Sequence, residues 1–133
     1  MNDLPYGYER ALPRVGFAEA EERVTAALKA EGFGVLTRID VKETLKKKLD
    51  VDFRPYVILG ACNPSLARRA LEGEPQIGLL LPCNVVVQEG DGGTVVSIAD
   101  PKAMFSLVAN EAIAPVAGEV DLRLRRVMEA LAA

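Results

Sequence analysis

Hydrophobic and polar residues recur along this chain with two different periods, and the switches between them divide it into elements. The stretch "YGYERAL", Tyr6 to Leu12, reads as a weakly patterned first strand ended by Pro13. From Phe17 to Glu31 the apolar positions Phe17, Ala20, Val24, Ala27 and Leu28 fall on one face at helical spacing. Glu19, Glu21 and Glu22 crowd the start of that helix, where carboxylates suit the positive end of its dipole, and Gly32 ends it. "FGVLTRI" predicts a strand, and Asp40 is placed to cap a short helix in which Val41, Leu45 and Leu49 make an apolar stripe.

Further on, "YVILGAC" is short and nearly all apolar, as an interior strand is. Asn63-Pro64 supplies an N-cap followed by proline at the first helical position, where its missing N-H costs nothing. The helix it opens turns Leu66, Ala67, Ala70 and Leu71 inward and Arg68 and Arg69 outward, and stops at Gly73. "IGLLLPCNVVVQE" is the longest apolar run, read as one strand with Leu79, Leu81, Cys83, Val85 and Val87 on one face. Pro82 within it cannot donate to a ladder, which predicts an edge strand or a bulge. "GDGG" predicts a hairpin turn into "TVVSIA", and Asp100-Pro101 repeats the cap-plus-proline start. A last helix from about Pro115 aligns Val116, Val120, Leu124, Val127 and Leu131 and turns Arg123, Arg125 and Arg126 mostly to solvent.

Strands and helices interleave in the order β-α-β-α-β-α-β-β-α-α, with a hairpin and two helices closing the chain. That order predicts an α+β fold of two layers, a largely antiparallel or mixed sheet covered on one face by helices. The predicted strands are apolar on both faces, so the uncovered face is expected to pair with a second copy in a homodimer. The 133 residues show no linker, repeat or low-complexity tract and are expected to form one domain, residues 1–133.

Composition narrows the function more by exclusion than by assignment. A hydrophobic fraction of 50% and a charged fraction of 26% are those of an ordinary folded domain. A net charge of -3 offers no general attraction to phosphate backbones, so no nucleic-acid partner is expected. The first residues lack a cationic start followed by an apolar run, and no stretch approaches the ~18 apolar residues of a membrane span. A cytoplasmic protein with no membrane partner is the expectation. Scarce glutamine beside many charges runs in the direction of heat-adapted proteins, the ground for guessing a thermophilic source.

Histidine is wholly absent. That removes the commonest general base, the Ser-His and Cys-His nucleophile pairs, and every histidine-containing metal site.

"ILGACNPSLARRAL" followed by "IGLLLPCNVVVQE", with "GFGVLTRIDVKETLKKKL" upstream and a "DP" helix after the hairpin, resembles the bacterial and archaeal family catalogued as domain of unknown function 302. The resemblance runs from about Phe17 to the C-terminal helix, and the paired "CNP" and "PCN" phrases are its specific part. It implies a compact α+β domain, typically a homodimer, in cytoplasmic proteins. It implies no activity, because the family is named for lacking one.

The candidate chemistry rests on those phrases. Cys62 precedes a helix N-cap, where N-H groups and the dipole can stabilise a thiolate; equally, it can be a small buried hydrophobe closing an apolar strand. Cys83 sits among valines and reads as core. If the two strands are neighbours, Cys62, Asn63, Cys83 and Asn84 converge on one place as a ligand or thiol site. Two thiolates suit a soft ion such as Cu(I), but a tetrahedral zinc site wants four ligands, so no metal or cofactor is assigned. The wide spacing of the two cysteines also lacks the C-x-x-C signature of redox dithiols.

"EGDGG" lacks the lysine and the following helix of a phosphate loop, and a hairpin turn accounts for it. Lys42, Lys46, Lys47 and Lys48, near Arg38 and Arg54, offer a weak anion patch, with Lys46, Lys47 and Arg54 as its candidates, or simply a solvated helix face. The expectation is therefore a non-enzymatic, homodimeric binding or accessory domain with an unidentified small ligand. The alternative is a thiol-based redox or soft-metal protein using Cys62, with or without Cys83.

Overall fold

The computed structural model describes residues 1–132. Its strands are β1 (Asn2–Leu4), β2 (Gly7–Pro13), β3 (Gly34–Asp40), β4 (Tyr56–Cys62), β5 (Cys83–Gly90) and β6 (Gly93–Ala99). Its α-helices are α1 (Phe17–Ala30), α2 (Val41–Leu49), α3 (Pro64–Gly73), α4 (Pro101–Phe105) and α5 (Ala114–Ala130). The strands form one six-stranded sheet in the order β1-β2-β6-β5-β4-β3. Each neighbouring pair is antiparallel. This is the α+β architecture expected from the alternation of elements.

Strand parity divides the sheet into two faces. Tyr8 and Leu12 of β2, Val57, Leu59 and Ala61 of β4, Val85 and Val87 of β5, and Val96 and Ile98 of β6 are buried on one of them. There they meet Ala20, Val24 and Leu28 of α1 and Val116, Val120, Leu124 and Val127 of α5, the stripes that helical spacing predicts. On the other face Ile39, Ile58 and Val86 stand in one cross-strand row, with Ile39 exposed and the other two half-buried.

Local chemistry sets the helix starts. The Asp40 carboxylate accepts the Glu43 N-H at 2.9 Å, and Asp100 accepts from Lys102 N at 2.9 Å. The hairpin turns through Asp91 and Gly92, the glycine at a φ of 72° that other residues rarely adopt.

Two helix faces and two readings of the longest apolar run need correction. Leu71 of α3, expected inward, is 42% exposed, and none of the α2 stripe of Val41, Leu45 and Leu49 is buried. The strand through Leu79, Leu81 and Cys83 begins only at Cys83, and Pro75–Leu80 forms a 3₁₀ helix instead. Only Ile77 of that segment is buried, while Leu79 is 83% exposed. The reason is a missing ladder partner. Cys83 pairs beside Ala61, near the end of β4, and at Asn63 the chain turns into α3, so the residues before Cys83 have no strand to join. Pro82 accordingly marks neither an edge nor a bulge: it lies just before β5, an interior strand between β4 and β6. The short β1, paired with β2 at the sheet edge, carries no hydrophobic alternation that would have announced it.

Candidate functional site

The antiparallel pairing of β4 with β5 brings the two cysteine phrases together. Ala61 is the register partner of Cys83 and Gly60 that of Asn84, which makes Cys62 and Cys83 diagonal neighbours across the ladder. At Gly60 a side chain would collide with Thr37 Oγ1 and with Pro82 Cγ, 2.7 Å from its Cβ, so glycine lets Pro82 close on β4.

Beyond Cys62 the backbone leaves the sheet at Asn63. Asn63 caps α3, its Oδ1 accepting the Leu66 N-H at 3.2 Å, and Pro64 takes the first helical position. Asn63 itself is buried.

Around this junction lie two adjoining recesses. The inner one, with a free volume of about 20 Å³, is lined by Cys62, Asn63 and Cys83 together with Phe33, Phe105 and Val120 from distant elements. The outer one, of about 130 Å³, is lined by Leu79, Asn84, Ala99 and Met104 among others. Leu81, Pro82, Cys83 and Phe105 belong to both and form the partition. All four residues singled out from the sequence therefore meet here, Cys62 and Asn63 inside, Asn84 outside, and Cys83 between. The aromatic and aliphatic walls were not legible beforehand, because they come from elements far apart in the chain.

Electrostatics at the recess favour neutral groups. Burial pushes the Cys83 thiol up to about 11, and the proximity of Cys62 adds to the rise. Burial alone raises Cys62. Apart from these two thiols the lining residues carry no ionisable side chain. No cluster of three or more His, Cys, Asp or Glu side chains poised around an ion occurs among the described residues.

The anion-patch candidates each have partners of their own. Lys46 pairs with Asp50 at 3.0 Å and with Asp52 at 3.5 Å, and Lys47 with Glu43 at 2.7 Å. Arg54 donates twice to Gln88 Oε1, at 3.0 and 2.8 Å, and lies 4.6 Å over the Phe53 ring.

A second polar cluster escaped the sequence reading. Asp121 of α5 is buried, accepts the Tyr8 hydroxyl at 2.7 Å and the Arg125 Nε-H at 3.1 Å, and lies 3.6 Å from Lys102 Nζ. Arg125 also donates to the Tyr8 oxygen at 2.7 Å and covers its ring at 4.4 Å, so its guanidinium is engaged within the fold although the side chain stays 41% exposed. The signal was present: Ala117, Asp121, Leu124 and Met128 share a helical face, and a carboxylate inside an apolar stripe requires a partner. This cluster ties β2 to α5 and borders neither recess.

Three comparisons bear on the whole chain. The family model described as "Domain of unknown function DUF302" matches residues 8–131. Among solved structures, the chain is similar to an uncharacterized conserved DUF302 protein from Bacillus stearothermophilus, at 33% identity and a TM-score of 0.86, over 95% of this chain and 98% of that one. Among curated proteins, none matches. No helix is long and apolar enough to cross a membrane among the described residues.

Proposed function

This chain belongs to the DUF302 family, and from the junction just described we propose that it is a non-enzymatic, cytoplasmic binding domain for a small neutral amphipathic molecule. The observation that carries the reading is the pair of recesses sharing Leu81, Pro82, Cys83 and Phe105. Binding sites are typically apolar concavities with a few placed polar groups. Here the apolar end of a ligand enters past Cys83, while the amide of Asn84 in the outer recess answers its polar end. The volumes, about 20 Å³ inside and about 130 Å³ outside, limit the inner recess to a group of about methyl or water size and leave the rest of the ligand in the outer one. No carboxylate, lysine or arginine lines either recess, which supports binding over acid-base catalysis.

Thermal shift with benzyl alcohol, indole and butyramide tests this, since a ligand that binds only the folded state raises the melting temperature by mass action. A rise for at least one probe, abolished in a folded Ala67→Leu variant that fills the inner recess, supports the site. No rise for any probe at millimolar concentration, or an equal rise in the variant, overturns it.

The same proposal includes a second copy of the chain on the open face of the sheet. The row Ile39, Ile58 and Val86 supports it, because closed twofold pairing is the commonest way to cover apolar surface of this kind. Light scattering should give twice the monomer mass of 14.3 kDa at micromolar concentration, and Ile58→Lys should restore the monomer. A monomeric wild-type protein removes this part.

A further inference from the structure

We propose that Cys62 and Cys83 are a reversible thiol pair, converted by a hydroperoxide into an intramolecular disulfide that closes the inner recess. The closing of the recess rests on the binding reading above; the bond itself does not.

The geometry begins with the ladder. Cys83 is the register partner of Ala61, one residue before Cys62. Neighbouring strands lie about 4.8 Å apart and a residue advances about 3.4 Å, which sets the diagonal Cα separation at roughly 6 Å. Disulfides span Cα separations of about 4.4 to 6.8 Å. In a regular ladder such diagonal residues face opposite sides of the sheet. Cys62, however, is the last residue of β4, where the chain turns into the α3 cap, and both cysteines line the same recess. Each is a free, half-buried cysteine.

The surroundings select the product. A bis-thiolate complex of a soft cation would leave a net negative charge in a cavity whose lining holds no cationic side chain. Burial disfavours both resting thiolates, so the oxidation runs through a minor thiolate form, slow near pH 7 and faster as pH rises. A disulfide is neutral and apolar and suits that cavity, so the thiol-redox reading is favoured over the soft-metal one.

The chemistry balances with a hydroperoxide as oxidant. The Cys62 sulfur, as thiolate, attacks the terminal peroxide oxygen. The O-O bond breaks, the leaving alkoxide takes up the thiol proton as an alcohol, and Cys62 becomes a sulfenic acid. The Cys83 sulfur then attacks the Cys62 sulfur. The S-O bond breaks, and hydroxide departs as water with the Cys83 proton. Two electrons from the two thiols have reduced one peroxide.

The test uses the whole reduced protein and hydrogen peroxide. The expected product is a monomer-mass chain lighter by two hydrogens, with Cys62 and Cys83 in one linked peptide, a raised melting temperature, and full reversal by dithiothreitol. In Cys83→Ser the same treatment should leave a sulfenic acid on Cys62 that dimedone traps. Irreversible sulfinic acid on Cys62 in the wild type, bridges only between chains, or no bridge overturns the pair. The probe that binds the reduced protein should lose at least tenfold in affinity after oxidation, and a bridge that leaves its affinity unchanged overturns the closing. A reduced protein that binds no probe yet forms the bridge supports the pair and counts against the binding reading alone.

Discussion

The Tyr8 hydroxyl donates to the Asp121 carboxylate at 2.7 Å, joining the second strand to the last helix across 113 positions of sequence. Both side chains are buried, and Arg125 closes the triangle by bonding each of them. Burial raises the Tyr8 hydroxyl first, and its bond to the carboxylate raises it further, so it remains a donor at any ordinary pH. Tyr8→Phe removes that donor while keeping the ring under Arg125. A loss of about 1 to 3 kcal/mol is expected, the range for a hydrogen bond to a charged group in a buried setting. Urea denaturation reads it as a lower midpoint at unchanged slope; an unchanged midpoint means the bond contributes nothing.

Asp121 also sets an acid limit. Burial acts to raise its carboxyl, but the bonds from Tyr8 and Arg125 outweigh it and hold the group below the ordinary carboxylate range. The unfolded chain therefore takes up this proton first as pH falls. The contribution of Asp121 is complete above the unfolded value of about 3.9 and is lost as pH falls through the folded one. In Asp121→Asn the stability profile below pH 5 should be shallower than in the wild type. Parallel profiles would assign the acid limb to other groups.

Cys83 gives the opposite sign at alkaline pH. Its folded value, about 11, lies above the unfolded value of about 8.5. The unfolded chain releases this proton first, so stability present below about pH 8.5 is lost as pH rises towards 11. Cys83→Ala should flatten that decline. Alkylation of both thiols by iodoacetamide should be slow at pH 7 and accelerate with pH, because only the thiolate reacts. Fast alkylation of Cys62 at pH 7 in the folded state would contradict the burial that raises it.

Asn63→Ala deletes the acceptor of the Leu66 N-H and should cost about 0.5 to 2 kcal/mol through loss of the cap on α3. Asn63→Asp keeps the acceptor and should recover most of it. Equal destabilisation by both would show that the lost interaction is not the cap.

Gly60→Ala places a methyl group against Thr37 Oγ1 and Pro82 Cγ. The threonine can rotate, but the proline is fixed where the chain enters β5, so a loss of about 1 to 3 kcal/mol is expected from overpacking. Gly60→Ala combined with Thr37→Ala should recover only part of it by thermal denaturation. Complete recovery would show that Pro82 yields.

The helices were legible because their information is local. The apolar stripe of α5 from Val116 to Val127, the Asp40 cap, the Asn63-Pro64 start and the Gly92 turn each depend on residues within a few positions of one another. Such periodicities and cap chemistries persist whatever the chain packs against. "IGLLLPCNVVVQE" fails by the same logic. Its hydrophobicity suits a strand or a buried turn, and only the length of β4, ending where Asn63 begins α3, decides that pairing starts at Cys83.

By itself, then, the sequence determined the α+β alternation, the helix boundaries, the absence of histidine chemistry and the four residues around its two cysteines. The tertiary structure alone decided the strand order, the recess walls from Phe33, Phe105 and Val120, and the partnership of Tyr8 with Asp121. The division follows from range. A cap or a stripe is satisfied within one or two helical turns, whereas a cavity and a buried charge are satisfied by side chains brought together only when distant segments share a core.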